Sequence, residues 1–393
     1  MANHEITVVT GLNYGDESKG LVANAMSDSN TLMILPSNSC QRAHTVVENG
    51  IRRVFRHFGS GTLKGAATYF TDTFLINPAM FRQEYVDLLK HGIRPKVYAR
   101  LCSVLVSPID MFANIAVEKS RGENSHSSTG CGVWEALRRH TILSQRYDKY
   151  GDRDIIAYYK KHFRNIYGYI PEDVQEFLDG KYLLQNWQSD LDFMRSHITF
   201  IKTDEEERDL LLSYKNIVFE NGQGLLITDS YNSDTEHNTP CSVGAEHPAE
   251  LIAKYFKEEK DYRINAMYVS RTYYTRHGKG QIGVMSDCEC DKFEINPDMV
   301  DLTNVPNPHQ GTLRYGKFTL EDGEQAIKRI HTDCQYYEQN GIVLPHCNRS
   351  IVITHTNEYD DGILFSCANS GKYGVNIYTS DNESSIEKVV GLR

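Results

Sequence analysis

The apolar and polar residues of this chain fall into short blocks that alternate between two patterns. Apolar runs typical of buried strands occupy residues 6–10, 31–35, 53–58, 216–220, 266–271, 350–355 and 375–379. Runs with apolar residues at helical spacing occupy residues 78–90, 111–120, 134–140, 210–214, 248–256, 320–340 and 384–390. Because strands alternate with helices, the pattern predicts an α/β fold with a mostly parallel central sheet flanked by helices.

Two segments interrupt this alternation. Residues 148–210 are polar, charged and helix-like. We expect them to form a peripheral helical lobe inserted into one large domain of residues 1–393, because no Pro- or Ser-rich linker divides the chain. Residues 301–311 contain Pro306 and Pro308 and end in glycine, which is typical of a long functional loop. Pro248 should occupy the first position of its helix, where a missing N–H group costs nothing.

Composition narrows the class of protein. The 393 residues are 40% hydrophobic, enough for a sizeable core, and a net charge of −10 argues against broad electrostatic binding of nucleic acid. No run approaches the ~20 apolar residues of a membrane span, and the N-terminus lacks the pattern of a signal peptide. Nine cysteines in such a chain indicate a reducing compartment, the cytoplasm. The close pair Cys288 and Cys290 lacks the further partners that a metal site needs.

The glycine-rich segment at residues 11–20, Gly-Leu-Asn-Tyr-Gly-Asp-Glu-Ser-Lys-Gly, directly follows the first apolar run. It predicts a turn between a buried strand and a helix that begins at Lys19. Such a turn points several N–H groups at one spot, and the helix dipole and Lys19 add the positive potential that a phosphate requires. Asp16 would repel a phosphate unless it holds a metal ion or removes a proton from a second substrate. The loop therefore predicts phosphoryl chemistry with an acid–base step.

This loop differs from two common nucleotide-binding motifs. A Walker A loop has glycine directly before its lysine and Ser or Thr directly after it, whereas here Ser18 precedes Lys19 and Gly20 follows it. The GxGxxG fingerprint is also absent. The segment instead resembles the signature Gly-Asp-Glu-Gly-Lys-Gly of the adenylosuccinate synthetase family. Further blocks resemble that family's motifs in the same order, at residues 41–45, 55–61, 118–122, 128–132 and 219–224, then at Thr239, residues 311–314 and residues 379–381.

The resemblance implies a ligase that joins L-aspartate to C6 of a 6-oxopurine nucleotide and consumes a nucleoside triphosphate. The purine O6 atom is a poor leaving group, so it must first be phosphorylated. It becomes nucleophilic only after N1 has lost its proton. Such a site needs a base at N1, Mg²⁺ on the donor phosphates and cations around the moving phosphoryl group.

Three side chains carry this chemistry by resemblance. Asp16 would be the base and would contact Mg²⁺ together with the carbonyl of Ala43. Lys19 would bind phosphate oxygens, and His44 would be the general acid. Each residue also has an alternative interpretation. Asp16 could cap the next helix, Lys19 could be a solvated residue of the first turn, and His44 could be structural.

The resemblance also implies the binding residues. The substrate nucleotide is expected to contact Asp16, Ser18, Lys19, Gln41, Thr129, Arg138, Arg139, Gln223 and Thr239. Of these, Thr129 and Thr239 would donate their hydroxyls to its 5′-phosphate, and Gln223 would hold that phosphate or the base nearby. The donor nucleotide is expected to contact Gly15, Glu17, Ser18, Lys19, Gly20, His44, Thr45, Asn357 and Ser380, and aspartate to contact Gly311, Thr312 and Arg314. One of Arg138 and Arg139 resembles an arginine that crosses a dimer interface, which implies a homodimer and leaves the choice between them open. A basic helix end is the alternative for both.

Three departures from the family pattern bear on the substrate. Ser18 replaces a glycine and supplies an acceptor that a purine 2-amino group would need, because a buried unpaired donor costs about 1–3 kcal/mol. Thr312 replaces the arginine that meets the ribose 2′-hydroxyl, which matters little if the sugar is deoxyribose. Asn357 replaces an aspartate that reads guanine, which favours an adenine donor.

Together the departures resemble the bacteriophage branch of the family, which aminates deoxyguanylate on the way to 2-aminoadenine. The expected substrates are then dGMP, L-aspartate and ATP or dATP, in the host cytoplasm. The alternatives are IMP with GTP and a nucleotide-binding regulator without catalysis. Retention of Asp16, Lys19 and His44 speaks against a regulator, because binding alone needs no base. Neither nucleic acid nor a membrane is an expected partner.

Overall fold

A computed structural model describes residues 3–36, 39–101, 103–143, 152–179, 184–228, 230–231, 237–259, 261–283, 288–298, 309–343, 346–372 and 374–389. Its strands are β1 (His4–Gly11), β2 (Thr31–Leu35), β3 (His44–Glu48), β4 (Ile51–Phe55), β5 (Ala67–Phe70), β6 (Leu75–Ile76), β7 (Val97–Arg100), β8 (Val104–Leu105), β9 (Thr199–Ile201), β10 (Asn216–Gly224), β11 (Tyr262–Arg271), β12 (Tyr274–His277), β13 (Glu289–Cys290), β14 (Leu313–Gly316), β15 (Cys347–Thr354), β16 (Asn376–Ser380) and β17 (Glu387–Lys388).

The helices of the described residues cover both faces of the main sheet. They are α1 (Lys19–Ala25), α2 (Pro78–Lys90), α3 (Pro108–Arg121), α4 (Val133–Leu143), α5 (Asp152–Tyr167), α6 (Glu172–Leu178), α7 (Leu184–His197), α8 (Asp204–Leu212), α9 (Glu246–Phe256), α10 (Lys292–Ile295), α11 (Leu320–Gln339) and α12 (Ile363–Asn369). Among these residues, the helices are too short or too polar to span a bilayer.

The main sheet has the order β17-β16-β15-β11-β1-β10-β2-β5-β7-β9. Its described neighbours pair in parallel, except that β16 and β17 are antiparallel. This confirms the predicted α/β fold with a mostly parallel sheet. Strand β1 lies between β10 and β11, which come more than 200 residues later in the chain, so the sheet joins distant segments at its centre.

Strand β1 is buried on both faces, which explains its unbroken apolar run. Ile6 and Val8 belong to the main core, which also contains side chains of α9 and α11. Val9 points to the opposite face and belongs to a second core with Val22 and Ala23 of α1. The alternation follows from the two-residue repeat of a strand.

Two predicted elements have the predicted bounds because their ends are marked by local chemistry. Strand β2 spans the predicted residues 31–35, and helix α2 spans the predicted residues 78–90. The helix starts at Pro78 because the Asn77 side chain accepts hydrogen bonds from the N–H groups of Ala79 and Met80, both at 3.1 Å.

Two local predictions were wrong. Pro248 is the third residue of α9, not the first; the position tolerates proline because the first four N–H groups of a helix lack intrahelical partners. Residues 384–389 form no helix, and β17 pairs there with β16. The Asn382 side chain accepts hydrogen bonds from the N–H groups of Ser384 and Ser385, at 2.9 and 2.8 Å, and this turn competes with a helix.

The strand predicted at 53–58 is shifted, because β4 ends at Phe55 in a hairpin with β3. Beyond that point the carboxylate of Glu84 accepts the N–H groups of Arg56 and His57, at 3.1 and 3.0 Å, and draws the chain away from the hairpin. The sequence pattern also missed β5 and β7, which extend the main sheet.

The segment predicted as a helical lobe, residues 148–210, contains α5, α6, α7 and the start of α8. Buried side chains of α5, α6 and α7, such as Phe163, Val174 and Leu191, pack in one core with α2 and α3. Residues 199–201 form β9 at the edge of the main sheet, so part of the segment belongs to the sheet. The division of the chain into domains stays a prediction. Residues 301–308 of the predicted functional loop lie outside the described residues.

Candidate active site

A cavity of about 1470 Å³ opens at the carboxyl ends of the central parallel strands. Its wall includes the loop after β1, the segments at the ends of β10, β11 and β15, and the start of the β3–β4 hairpin. In open α/β sheets this edge is the usual place for a ligand. The residues predicted for the site that line the cavity are Gly15, Asp16, Glu17, Ser18, Lys19, Gly20, Gln41, Ala43, His44, Thr45, Thr129, Gln223 and Asn357.

The loop after β1 has a strained backbone that neighbouring strands hold in place. Asp16 and Ser18 have φ angles of 58° and 69°, in the left-handed region that non-glycine residues rarely adopt. The Arg271 Nε atom donates to the Asp16 carbonyl at 2.6 Å, and the Thr354 hydroxyl donates to the Glu17 carbonyl at 3.2 Å. The Thr275 hydroxyl donates to the Gly15 carbonyl at 3.1 Å. Such strain persists where surrounding contacts fix the conformation, often at functional sites.

Glu17 and Lys19 lie buried beneath this loop. A Cβ atom on Gly11 would lie 2.4 Å from Glu17 Oε2 and 2.9 Å from Lys19 Nζ, so glycine leaves the space that both side chains occupy. Glu17 also accepts the N–H group of Asn13 at 2.7 Å. Burial raises the pKa of Glu17 to about 7 and lowers the pKa of Lys19, while each opposes the shift of the other by its charge. The pair is therefore sensitive to any further charge in the cavity.

His44 and Glu220 form a buried pair at the cavity wall. The His44 Nδ1 atom lies 2.6 Å from Glu220 Oε1, and its Nε2 atom lies 3.3 Å from the Gly222 carbonyl oxygen. The Ser60 N–H group and hydroxyl both donate to the Glu220 carboxylate, and Arg42 lies 3.4 Å from it. Glu220 therefore fixes the orientation of the His44 ring.

The charges around this pair shift both pKa values. Burial and the positive charges of Arg42 and Lys19 lower the pKa of His44 to about 4, although Glu220 opposes the shift. The same Arg42 and His44 lower the pKa of Glu220 to about 2, against its burial. At neutral pH Glu220 is thus ionised, and His44 is uncharged.

Asp16 is half-buried and faces the cavity beside a second histidine. Its Oδ2 atom lies 3.7 Å from Nε2 of His277. Among the described residues, no group of three or more His, Cys, Asp or Glu side chains is placed to hold a metal ion. A metal ion here would rely on one carboxylate, backbone carbonyls, phosphates and water.

The residues predicted for the substrate phosphate come together from distant segments. The Gln41 side chain donates to the Thr239 hydroxyl at 3.0 Å. Gln41, Thr129 and Gln223 line the cavity, and Thr239 contacts the lining residue Gln41. The Thr129 hydroxyl accepts a weak hydrogen bond from the N–H group of Cys131 at 3.4 Å.

The two arginines of α4 have different environments. Arg139 is fully buried and forms an ion pair with Asp110, with 2.7 Å between Nη2 and Oδ2. Arg138 is exposed and donates to the Tyr167 hydroxyl at 2.8 Å. The side chain of Arg138 is thus accessible, whereas that of Arg139 is held inside the fold by Asp110.

The residues predicted to bind aspartate do not line the cavity, and neither does Ser380, which was predicted to bind the donor. Arg314 donates to the carbonyls of Gly278 and Gly280, at 2.8 and 2.6 Å, and forms an ion pair with Glu289 at 2.9 Å. Gly311 and Thr312, which shortly precede Arg314 in the chain, are exposed. Ser380 is buried and donates to backbone carbonyls of its own turn, while the neighbouring residues 381–383 line the cavity.

Sequence reasoning did not assign several cationic residues that line the cavity. They are Arg42, Arg52, Arg53, Arg56, Lys90, Arg271, Arg276 and Lys279, and the unassigned His277 also lines the cavity. Glu220, which orients His44, was also missed as a site residue. One signal was available, because Arg271 and Glu220 lie near the carboxyl ends of predicted strands, where ligand-binding residues of parallel sheets gather.

Comparison with known proteins assigns the family. A family model described as adenylosuccinate synthetase matches residues 8–293, well over half of the chain.

The chain belongs to the adenylosuccinate synthetase family.

Curated adenylosuccinate synthetases resemble it at low identity. The protein of Actinobacillus pleuropneumoniae serotype 7 is 24% identical over 290 residues, covering 69% of this chain and 63% of the relative. The protein of Proteus mirabilis is 24% identical over 286 residues, covering 70% and 63%. The chain thus spans less than two thirds of the length of these relatives.

Two solved structures share the fold. The succinoaminodeoxyadenylate synthetase of cyanophage S-2L, bound to dGMP and to dATP as an energy donor, has a TM-score of 0.64 at 16% identity, covering 98% of this chain and 95% of that one. The fully ligated adenylosuccinate synthetase of Plasmodium falciparum has a TM-score of 0.59 at 14% identity, covering 88% and 76%.

Proposed function

We propose that this protein is a ligase that joins L-aspartate to C6 of a 6-oxopurine nucleotide through a 6-phosphoryl intermediate. The observation that carries the proposal is the convergence of Asp16, Lys19 and His44 on one cavity at the carboxyl ends of the sheet. A carboxylate, an ammonium group and an imidazole are the base, phosphate ligand and acid that the reaction needs. The family assignment supports the same chemistry.

In this proposal Asp16 removes the N1 proton of the purine, so that O6 attacks the terminal phosphoryl group of the donor. Lys19 binds phosphate oxygens. The negative charges of a phosphate stabilise the charged form of its buried ammonium group. His44 then donates from Nε2 to the moving phosphoryl group while Nδ1–H remains on Glu220. A triphosphate beside His44 raises its pKa, because a nearby negative charge favours the imidazolium.

Mg²⁺ fits the residues that are present. Mg²⁺ is commonly held by one or two carboxylates together with substrate phosphates and water rather than by a cage of protein ligands. The half-buried carboxylate of Asp16 and the backbone of Ala43 both border the cavity. When bound there, Mg²⁺ would neutralise charge on the donor phosphates.

We propose dGMP as the purine substrate. Ser18 stands at the N-terminus of α1 but its hydroxyl makes no capping hydrogen bond, although serine is a favoured cap. The side chain instead belongs to the cavity wall, where it can accept from a 2-amino group. The cyanophage relative, whose structure was solved with dGMP and dATP bound, supports this assignment.

For the donor we propose ATP or dATP. Asn357 lines the cavity, and its amide offers one acceptor and two donors. Adenine presents both an amino donor and ring acceptors, which an amide can match. Guanine needs two acceptors for N1–H and the 2-amino group, which a carboxylate supplies better.

The alternative is IMP with GTP, and it is favoured by the names of the curated relatives. To decide, the purified protein is incubated with aspartate, Mg²⁺ and either donor, with dGMP or IMP as the acceptor. A succinylated product from dGMP and not from IMP supports our proposal. The reverse pattern supports the alternative, and no product from either nucleotide indicates a binding protein without catalysis.

Two variants test the roles of individual residues. Asp16→Asn should reduce turnover at least ~100-fold and largely preserve nucleotide binding, because an amide cannot accept the proton. An unchanged rate would refute the assignment of the base. Ser18→Gly should weaken the preference for dGMP over IMP by about tenfold, the equivalent of one lost hydrogen bond. An unaltered preference counts against the 2-amino contact.

A further inference from the structure

Three cysteines lie beside segments that are predicted to contact the substrate nucleotide. Cys40, Cys131 and Cys241 belong to one buried cluster, although they are far apart in the chain. Each is within two residues of a predicted ligand of the substrate nucleotide: Cys40 precedes Gln41, and Cys131 and Cys241 follow Thr129 and Thr239 by two positions. The cysteines therefore sit on the backbone segments that position those ligands.

Cys131 and Cys40 are in direct contact, and only one of them meets the cavity. Both belong to the same buried cluster, and each thiol shifts the pKa of the other. Cys131 lines the cavity, whereas Cys40 is 0% exposed and lies behind it. A small reagent in the cavity would therefore reach Cys131 first and find Cys40 as its neighbour.

The backbone holds Cys131 in place. It lies between Gly130 and Gly132, which have φ angles of 75° and 71°. A Cβ atom on Gly132 would lie 2.5 Å from the backbone carbon of Asp110, so that glycine is required for the close approach. The segment that carries Cys131 therefore has little conformational freedom, which keeps the thiol next to Cys40.

The surroundings favour the thiolate of Cys131. The neighbouring Cys40 and Thr129 side chains and the positive charge of Arg56 lower the pKa of the Cys131 thiol to about 6, although burial opposes the shift. Helix α4 begins two residues later, at Val133, and its N-terminus adds positive potential. The thiolate is the reactive form of a cysteine towards peroxides.

We propose that Cys131 and Cys40 are an oxidation site: a peroxide that enters the cavity oxidises Cys131, and Cys40 resolves the product to a disulfide. The Cys131 thiolate attacks one peroxide oxygen, the O–O bond breaks, and a sulfenic acid and hydroxide form. The Cys40 sulfur then attacks the sulfenic sulfur, and hydroxide leaves with the Cys40 proton as water. In total two thiols and one hydrogen peroxide give one disulfide and two waters.

The disulfide would alter the cavity at its phosphate end. A covalent S–S bond is shorter than the thiol contact, so it draws the segments of Gln41 and Thr129 together. The monophosphate then loses room or partners. This consequence rests on the proposed function, because it takes those residues as ligands of the substrate nucleotide, whereas formation of the disulfide does not depend on it.

The chain offers an internal control. Cys334 and Cys347 are a second pair whose thiols shift the pKa of each other, and neither lines the cavity. The full chain is treated with hydrogen peroxide, and free thiols are blocked with iodoacetamide before peptide mapping. We expect a peptide that joins Cys40 to Cys131, its loss in Cys40→Ser and Cys131→Ser, its retention in Cys241→Ser, and its reversal by dithiothreitol.

Two measurements with dGMP complete the test: its effect on the rate of disulfide formation, and its affinity for the oxidised protein. Bound dGMP should slow formation of the Cys40–Cys131 link at least about tenfold and leave the Cys334–Cys347 pair unaffected, and the linked protein should bind dGMP about tenfold more weakly. Absence of the Cys40–Cys131 peptide overturns the proposal, as does equal dGMP affinity of the linked and reduced proteins. If reduced protein binds no dGMP, the proposed substrate fails, and the peptide map still decides whether the oxidation site exists.

Discussion

The Nδ1 atom of His44 lies 2.6 Å from the Oε1 atom of Glu220, and both side chains are buried. These residues are 176 positions apart in the chain. The contact brings a carboxylate from β10 to a histidine at the start of β3, so the histidine ring is held in one orientation at the cavity wall. A base or acid held in this way needs little reorganisation when a substrate arrives.

Replacing Glu220 by Gln should lower kcat by about 100-fold or more, because the amide no longer stabilises an imidazolium or fixes its tautomer. Ser60→Ala removes one donor to the same carboxylate while the Ser60 N–H group remains, so we expect a smaller loss. Steady-state kinetics measure both effects, and dGMP binding measured by calorimetry checks that the variants are folded. Equal kcat values for Glu220→Gln and the unmodified protein would show that Glu220 does not support His44 in catalysis.

His44 should make the stability of the protein depend on pH. Its pKa is lowered to about 4 in the folded chain from 6.5, so the unfolded chain binds the proton more tightly. The stabilisation is complete above pH 6.5 and is lost as the pH falls through about 4, a change of about 3 kcal/mol. Urea unfolding at pH 7 and pH 4 should show this loss in the native chain and a smaller one in His44→Gln. Identical losses would show that another group is responsible.

Gly224→Ala should prevent the loop after β1 from closing on β10. A Cβ atom there would lie 2.1 Å from the Asn13 carbonyl oxygen and 2.6 Å from the Gly15 N atom, both of which are backbone atoms that cannot move aside alone. We expect a loss of stability of several kcal/mol, at the upper end of single substitutions.

Gly323→Ala in α11 is the matched control. Its Cβ would meet only side-chain atoms, Cys367 Sγ and Ile363 Cγ2, each at 2.8 Å, and alanine favours a helix over glycine by about 1 kcal/mol. Thermal unfolding should therefore separate the two variants clearly. A Gly224→Ala protein as stable as Gly323→Ala would contradict the close approach.

The arginines of α4 should behave differently. Arg139→Ala leaves the buried carboxylate of Asp110 without its counter-ion, so we expect a loss of about 3–5 kcal/mol of stability. Arg138→Ala removes an exposed side chain and should change stability by no more than about 1 kcal/mol. If Arg138 acts across a dimer, this variant binds dGMP more weakly.

A mixing experiment tests that role. Asp16→Asn and Arg138→Ala proteins are combined and allowed to exchange subunits, and activity is measured against each variant alone. A mixed dimer has one site with both residues intact, so activity should recover. Failure to recover, with dimers present by light scattering, would exclude Arg138 as a residue that acts in trans.

Much of the fold was accessible from the sequence because it is encoded locally. The bounds of β2 and α2 follow from an apolar run and from an asparagine cap before a proline. The turn after β1, the helix at Lys19 and the α/β class follow in the same way. The helix predicted at residues 384–389 was wrong for a local reason as well. The Asn382 side chain accepts a backbone hydrogen bond that stabilises a turn, and the spacing of apolar residues does not reveal such a bond.

What the sequence by itself determined is the family, the α/β class and the segments that border the cavity, because motifs and periodicity are carried by neighbouring residues. The tertiary structure alone decided which distant groups meet: Glu220 with His44, Asp110 with Arg139, and Cys40 with Cys131. The contact of Glu220 with His44 depends on the order of strands in the sheet, because Glu220 lies on β10, which pairs with β1 although it follows that strand by more than 200 residues. Periodicity fixes which face of a strand is buried but not which strand lies beside it, so no pattern within a segment specifies those partners.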